Sequence, residues 1–275
     1  MNYRLFMQLF SFRMLIVVGL LLCLSGSIHL LFFLLDNKQW EGPVSWRKPI
    51  LFGFSTGVTA LSMAWVWRHL PARWGDSTLR VILAISLLVE VVLITLQTWR
   101  GVPSHFNQDT PLDEAISTFM TLLISVATLI IALLTLYTFG SILAPRTQVA
   151  AIRWGMSLLL ASCLIGAMIQ STGGSLYGKA GVLKFPHGMS IHAIQVLPLL
   201  AWLLPRGAVG AVHLAGIGYG LLTIYALVQA FGGRSRWDWT PASGVLLLLG
   251  VVSLSIPFLY AALFGRLTRP RQVPE

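Results

Sequence analysis

The sequence predicts an all-α integral membrane protein of about eight transmembrane helices in a single bundle, and three observations predict it. Its 275 residues are 56% hydrophobic and only 10% charged, whereas an ordinary soluble domain is about 25% charged. Apolar runs long enough to span a bilayer recur along the chain, each bounded by charge, proline or glycine. Eight crossings of about 20 residues with short connections account for the length. A chain this apolar cannot wet its own surface in water, so the lipid bilayer is its natural partner.

The spans fall in order. The first, 12–35, ends at Asp36 without a small-residue cleavage pattern and reads as a retained helix rather than a signal peptide. The second, 50–69, follows Arg47-Lys48-Pro49, and the third, 79–99, ends at Arg100. The fourth, 115–141, follows Asp113-Glu114, and the fifth covers 152–171. The sixth, 188–204, is short and contains Pro198; Pro205-Arg206-Gly207 separates it from the seventh, 208–231. Were that turn a kink, the count would be seven, but the stretch 188–231 is too long for one crossing. The eighth is 242–265. Cys23 and Cys163 lie inside spans, which argues against a disulfide framework or a CxxC metal site.

The net charge is +10. The basic residues sit at helix ends rather than in a patch with interleaved aromatics, so the excess reads as lipid-facing anchoring, with no nucleic acid as partner. One side of the membrane collects Arg4, Arg13, Arg68, Arg73, Arg80, Arg146, Arg153, Arg206, Arg266, Arg269 and Arg271, with Asp76 and Glu275. The other collects Lys38, Arg47, Lys48, Arg100, Lys179, Lys184, Arg234 and Arg236, with six acidic residues. The positive-inside rule then puts both termini in the cytoplasm. An internal 4+4 parallel repeat is also expected: Arg13, Cys23 and Gly26 recur as Arg153, Cys163 and Gly166, and Pro49 roughly matches Pro186.

The chemistry gathers on the second, outer side. Ionisable groups within spans are costly in lipid and are functional candidates by default. Glu90 lies well inside the third span, where a carboxyl group pairs with a cation, finds a donor or keeps its proton. The alternative is an interhelical hydrogen bond for packing. Gln97 shares its helical stripe, with Arg100 close to it. His29, among Ser25, Gly26 and Ser27, suits metal, haem, proton transfer or a simple interhelical bond. His105 and Asn107 sit in the loop after the third span, and His187, His192 and Gln195 lead the sixth. His187 and His192 are roughly 140° apart on an ideal helix and cannot form a two-histidine grip. Arg47, Lys48 and Arg100 could clamp an anion, or snorkel to headgroups. The outer tryptophans Trp40, Trp46, Trp99, Trp237 and Trp239 form an aromatic belt. His69 and His213, at the inner boundary, read as structural. Gly216 and Gly220 form a GxxxG, a weak signal of close helix contact or dimerisation.

The phrases RGVPSHFN (Arg100–Asn107) and PHGMSIHAIQVLPLL (Pro186–Leu200) resemble signatures of a family of bacterial multipass membrane proteins with no established activity. The resemblance spans most of the chain and implies a bacterial inner-membrane location.

HExxH, Walker, GxSxG and CxxC motifs do not occur, so ATP-driven transport and the common hydrolase mechanisms lack support in the sequence. Three functions stay open. The first is a ligand or cofactor protein in which histidines hold haem or surround a quinone and Glu90 handles protons. The second is a proton-coupled secondary transporter using Glu90. The third is a membrane enzyme or assembly factor acting through the outer polar cluster.

Overall fold

The structure is a computed structural model that describes residues 3–36, 39–42 and 44–265. Several residues in the orientation count (Lys38, Arg266, Arg269, Arg271 and Glu275) lie outside the described residues. The helices are α1 (Tyr3–Leu35), α2 (Arg47–Arg68), α3 (Asp76–Trp99), α4 (Pro111–Thr138), α5 (Arg146–Ser171), α6 (Lys184–Ile191), α7 (Ala193–Leu203), α8 (Val209–Phe231) and α9 (Pro241–Phe264). A two-residue hairpin, β1 (Leu176–Tyr177) and β2 (Gly181–Val182), lies between α5 and α6. The fold is that of an all-α multipass membrane protein.

Seven of the described helices are long and apolar enough to cross a bilayer. The predicted sixth span is instead two short helices, α6 and α7, that meet at His192. At 1.5 Å per residue, the 11 residues of α7 reach only about 17 Å. The two helices end to end approach the roughly 30 Å of a hydrocarbon core. The first five helices begin three to nine residues before the predicted spans, in polar or charged sequence, because a helix does not start where the hydrocarbon does, whereas their C-terminal ends fall at or within three residues short of the predicted ones. Gln148 Nε2 donates to the Pro198 carbonyl at 3.1 Å, within α7.

The chain divides into two compact units, residues 1–134 and 135–275. In the first, α1 packs on α2 and both pack on α3. Glycine sets the α1–α2 distance: a Cβ on Gly53 would stand 2.7 Å from the Cα of Gly26, and one on Gly57 would stand 2.8 Å from the Gly19 carbonyl oxygen. Small residues are how helices without a hydrophobic drive in lipid gain contact. Leu15, Leu22, Met63, Leu83 and Ile94 fill the core of this unit. At the end where α1 and α2 are not joined, Arg80 is buried. Its Nε donates to Ser11 Oγ at 3.1 Å, and its guanidinium lies 5.8 Å from the Trp67 ring. This arginine is therefore an internal brace, not the headgroup anchor that its position in the sequence suggests.

In the second unit α5 packs on α6, α7 and α8, and α8 on α9, around Leu158, Leu197, Leu200, Val212 and Ala215. The GxxxG reading is corrected in part. Gly216 takes the Trp154 ring of α5, but nothing stands within 4 Å of a Cβ on Gly220. The close α8–α9 approach uses Gly218 instead, where a Cβ would stand 2.6 Å from the Leu254 nitrogen, and Gly250.

The helix starts also repeat. Pro111 and Pro241 each open a helix behind a threonine, where proline's missing N–H costs nothing. Thr110 Oγ1 accepts from the Asp113 amide at 3.2 Å, and Thr240 Oγ1 from the Ser243 amide at 3.3 Å. Large apolar side chains on α1, α4 and α9, among them Leu34, Leu129, Leu136, Leu259 and Leu263, are exposed, and lipid is the solvent that suits them.

Candidate functional site

In the first unit, the ends of α1 and α3 and the starts of α2 and α4 come together, and most of the singled-out residues are there. Glu90 sits on α3, about 14 Å inside its last residue at 1.5 Å per residue, and is 2% exposed. His105 reaches it from the connection between α3 and α4. His105 Nε2 lies 3.4 Å from Glu90 Oε1, while Glu90 Oε2 is buried with no hydrogen-bond partner. The His105 side chain is 23% exposed, so the pair runs from the interior toward the surface.

The connection is shaped to deliver His105. Gly101, at φ +73°, turns the chain at the end of α3, and the Val102 amide returns to the Gln97 carbonyl at 3.1 Å. Phe106 holds φ +60°, a left-handed conformation that side-chain-bearing residues rarely adopt. Its amide is fixed by Ser117 Oγ at 3.1 Å. Asn107 braces the same stretch, donating from Nδ2 to the Pro103 carbonyl and accepting the Asp109 amide on Oδ1. Backbone strain of this kind, held by surrounding bonds, often marks functional sites.

Two residues that the sequence did not single out complete the arrangement. Ser104, 2% exposed, has its Oγ 3.0 Å from His105 Nδ1, and Lys48 Nζ donates to the same Oγ at 3.3 Å. Lys48, Ser104, His105 and Glu90 thus form one continuous polar chain. The Ser-His dipeptide was visible but matched no known nucleophile motif. Asp113 is the other. It accepts Gln97 Nε2 at 2.9 Å and Arg100 at 2.8 Å on one oxygen, and Thr110 Oγ1 at 2.6 Å on the other. Arg100 also donates to Gln97 Oε1. The Thr-Pro-x-Asp pattern at a helix start was the available signal.

Gln97 and Arg100 are therefore engaged in tying α3 to the start of α4. Arg47 lies 3.5 Å from Glu41, whose side chain is 79% exposed, an ion pair that water screens. His29 has both ring nitrogens engaged: Nδ1 with the Ser25 carbonyl at 2.7 Å, and Nε2 accepting from Trp99 Nε1 at 3.1 Å. Trp46 and Trp99 pack around its ring. Ligation through either nitrogen would cost one of those bonds.

His187, His192 and Gln195 belong to the second unit. His187 Nδ1 lies 2.8 Å from the Ser162 carbonyl and 3.0 Å from Ser162 Oγ, against Gly166 of α5. His192 Nδ1 is 3.3 Å from Gln195 Oε1, at the junction of α6 and α7. Tyr219 reaches the same segment, donating to the Met189 carbonyl at 2.9 Å. The singled-out residues thus form two clusters, one in each unit. Among the described residues, no group of three or more His, Cys, Asp and Glu is placed to hold a metal ion.

No protein-family model, no curated protein and no solved structure matches this chain.

Proposed function

We propose that this polytopic membrane protein binds a small quinone-type ligand at Glu90 and His105 and exchanges a proton with it. One observation carries the reading: a buried carboxylate has one oxygen beside a histidine and the other without a partner. An unsatisfied buried carboxylate oxygen is expensive, and a ligand hydroxyl or a transferred proton relieves it. His105, partly exposed, connects the carboxylate to the outside. The site faces the extracytoplasmic side of a bacterial inner membrane, both termini being cytoplasmic; the arginine bias and the family resemblance support this placement.

The test uses the intrinsic fluorescence of the detergent-purified protein, in which Trp46 and Trp99 lie in the same unit as the site. A water-soluble short-chain quinone is expected to quench it saturably, with at least tenfold weaker binding in Glu90→Gln and His105→Asn. Equal affinity in all three proteins refutes the reading.

A second reading, proton-coupled transport, draws on the same path from a buried carboxylate to a partly exposed histidine. In that case proteoliposomes carrying an internal pH dye acidify on addition of substrate only when Glu90 is present.

A further inference from the structure

Ser104 and His105 are neighbours in the chain, and their side chains meet: Oγ to Nδ1 is 3.0 Å. The other imidazole nitrogen, Nε2, faces the Glu90 carboxylate at 3.4 Å. A carboxylate beside Nε2 favours the tautomer with the hydrogen there, which leaves Nδ1 as the basic nitrogen facing the serine hydroxyl. Lys48 Nζ stands 3.3 Å from the same oxygen and offers positive charge to an alkoxide or oxyanion. Serine, a base, and a carboxylate that orients the base are the parts of nucleophilic acyl transfer, which is recognised by geometry and not by sequence order. Serine usually addresses Nε2 in such sites, and here it addresses Nδ1. Hydrogen bonds of this kind are often long before substrate binds, so 3.4 Å at Glu90 is compatible with the role.

We propose that Ser104 is an acyl-accepting nucleophile acting on a carboxylic ester carried by a lipid. The ester class follows from the nucleophile and base. The lipid carrier follows from the setting, at the end of apolar helices and beside Phe52, whose ring centroid is 5.6 Å from that of His105. Ser104 Oγ attacks the ester carbonyl carbon and its proton passes to His105 Nδ1. The tetrahedral intermediate then expels the alcohol, which leaves with the proton from Nδ1, and the acyl group stays on Ser104. Water gives a proton to Nδ1 and attacks the acyl carbon; the carboxylic acid departs and the proton returns to Ser104 Oγ. Glu90 is a positioning residue in this scheme, and Lys48 stabilises the oxygen charge.

The proposal shares the Glu90–His105 pair with the proposed function, but the two fail separately. The purified full chain is incubated with a small sulfonyl fluoride and with a long-chain alkyl fluorophosphonate, which approach from water and from lipid. The expected result is a covalent adduct that peptide mass spectrometry assigns to Ser104. The adduct is absent in Ser104→Ala and forms on the order of 100-fold more slowly in His105→Asn. Glu90→Gln is expected to slow labelling and to change its pH profile, which a merely structural carboxylate would not do. No adduct with either reagent, while a control serine hydrolase in the same detergent is labelled, overturns the proposal, as does an adduct at another residue. Quinone quenching in Ser104→Ala reports on the Glu90–His105 pair alone: it stays at the wild-type level if that reading holds, whatever the labelling shows.

Discussion

Asp113 collects three side-chain donors: the Gln97 amide, the Arg100 guanidinium and the Thr110 hydroxyl. An amide at this position keeps the shape but brings an N–H toward groups that already donate. Asp113→Asn is therefore expected to lower the Tm of the detergent-solubilised protein by several degrees, while Arg47→Ala leaves it nearly unchanged, because the Arg47–Glu41 pair is exposed to water. A matched melting series on the two variants checks this. The same contrast shows what was legible from residue types. Glu90 stood out because a carboxylate inside an apolar run is rare. Ser104 and Asp113 did not stand out, because a serine and an aspartate in a polar connection look like ordinary turn residues until the chain folds back on itself. His29 was legible as an intramembrane histidine. Its commitment to Trp99 was not, since the two are seventy positions apart.

At the scale of elements, hydropathy located seven continuous helices well, because a long apolar run has few other ways to satisfy its backbone in lipid. It missed the break at His192. Residues 184–203 carry the composition of one span, and only the local backbone geometry at the α6–α7 junction divides them. Glycine spacing was informative only in part: of the GxxxG pair Gly216 meets Trp154 of α5, a Cβ on Gly220 meets nothing within 4 Å, and the contact with α9 uses Gly218 and Gly250. Spacing says which residues share a stripe but not which neighbour that stripe meets. A direct test pairs two alanine substitutions. Gly53→Ala puts a methyl 2.7 Å from the Gly26 Cα and is expected to cost about 1–3 kcal/mol by overpacking. Gly220→Ala has open space and should be neutral or slightly stabilising, since alanine is the better helix former. Denaturant unfolding in mixed micelles reads both.

At the scale of the whole molecule, the two units share a packing order. The first helix of each (α1, α5) packs on the second element (α2; α6 with α7) and on the third (α3, α8). Their fourth helices start alike, at Thr110-Pro111 and Thr240-Pro241. Gly26 and Gly166, paired by sequence, both face the second element of their unit, Gly26 against Ile50 and Phe54 and Gly166 against His187. The fourth helices differ in packing, α9 lying closely against α8 while α4 has no comparable contact with α3 among the described residues, so the 4+4 repeat stands as an expectation. Glu90 has no acidic counterpart in α8 either: apart from Asp238 in the connection before α9, the chain from 135 to 265 carries no Asp or Glu. If α6 and α7 together make one crossing, the number of crossings is even and the two termini share a side. Reporter fusions at both termini and in the 100–110 connection are expected to give cytoplasmic signals at the ends and an extracytoplasmic signal between. Opposite signals at the two termini would require an odd count. The α1–α2 contact has a consequence for how the chain is made. Among the first three spans α2 is the least apolar and the most deeply covered, and its glycines Gly53 and Gly57 bring its backbone close against α1. During synthesis α2 would therefore leave the insertion machinery most readily as a hairpin already joined to α1, and a chain that lost α1 would present α2 to the quality-control proteases rather than to the bilayer.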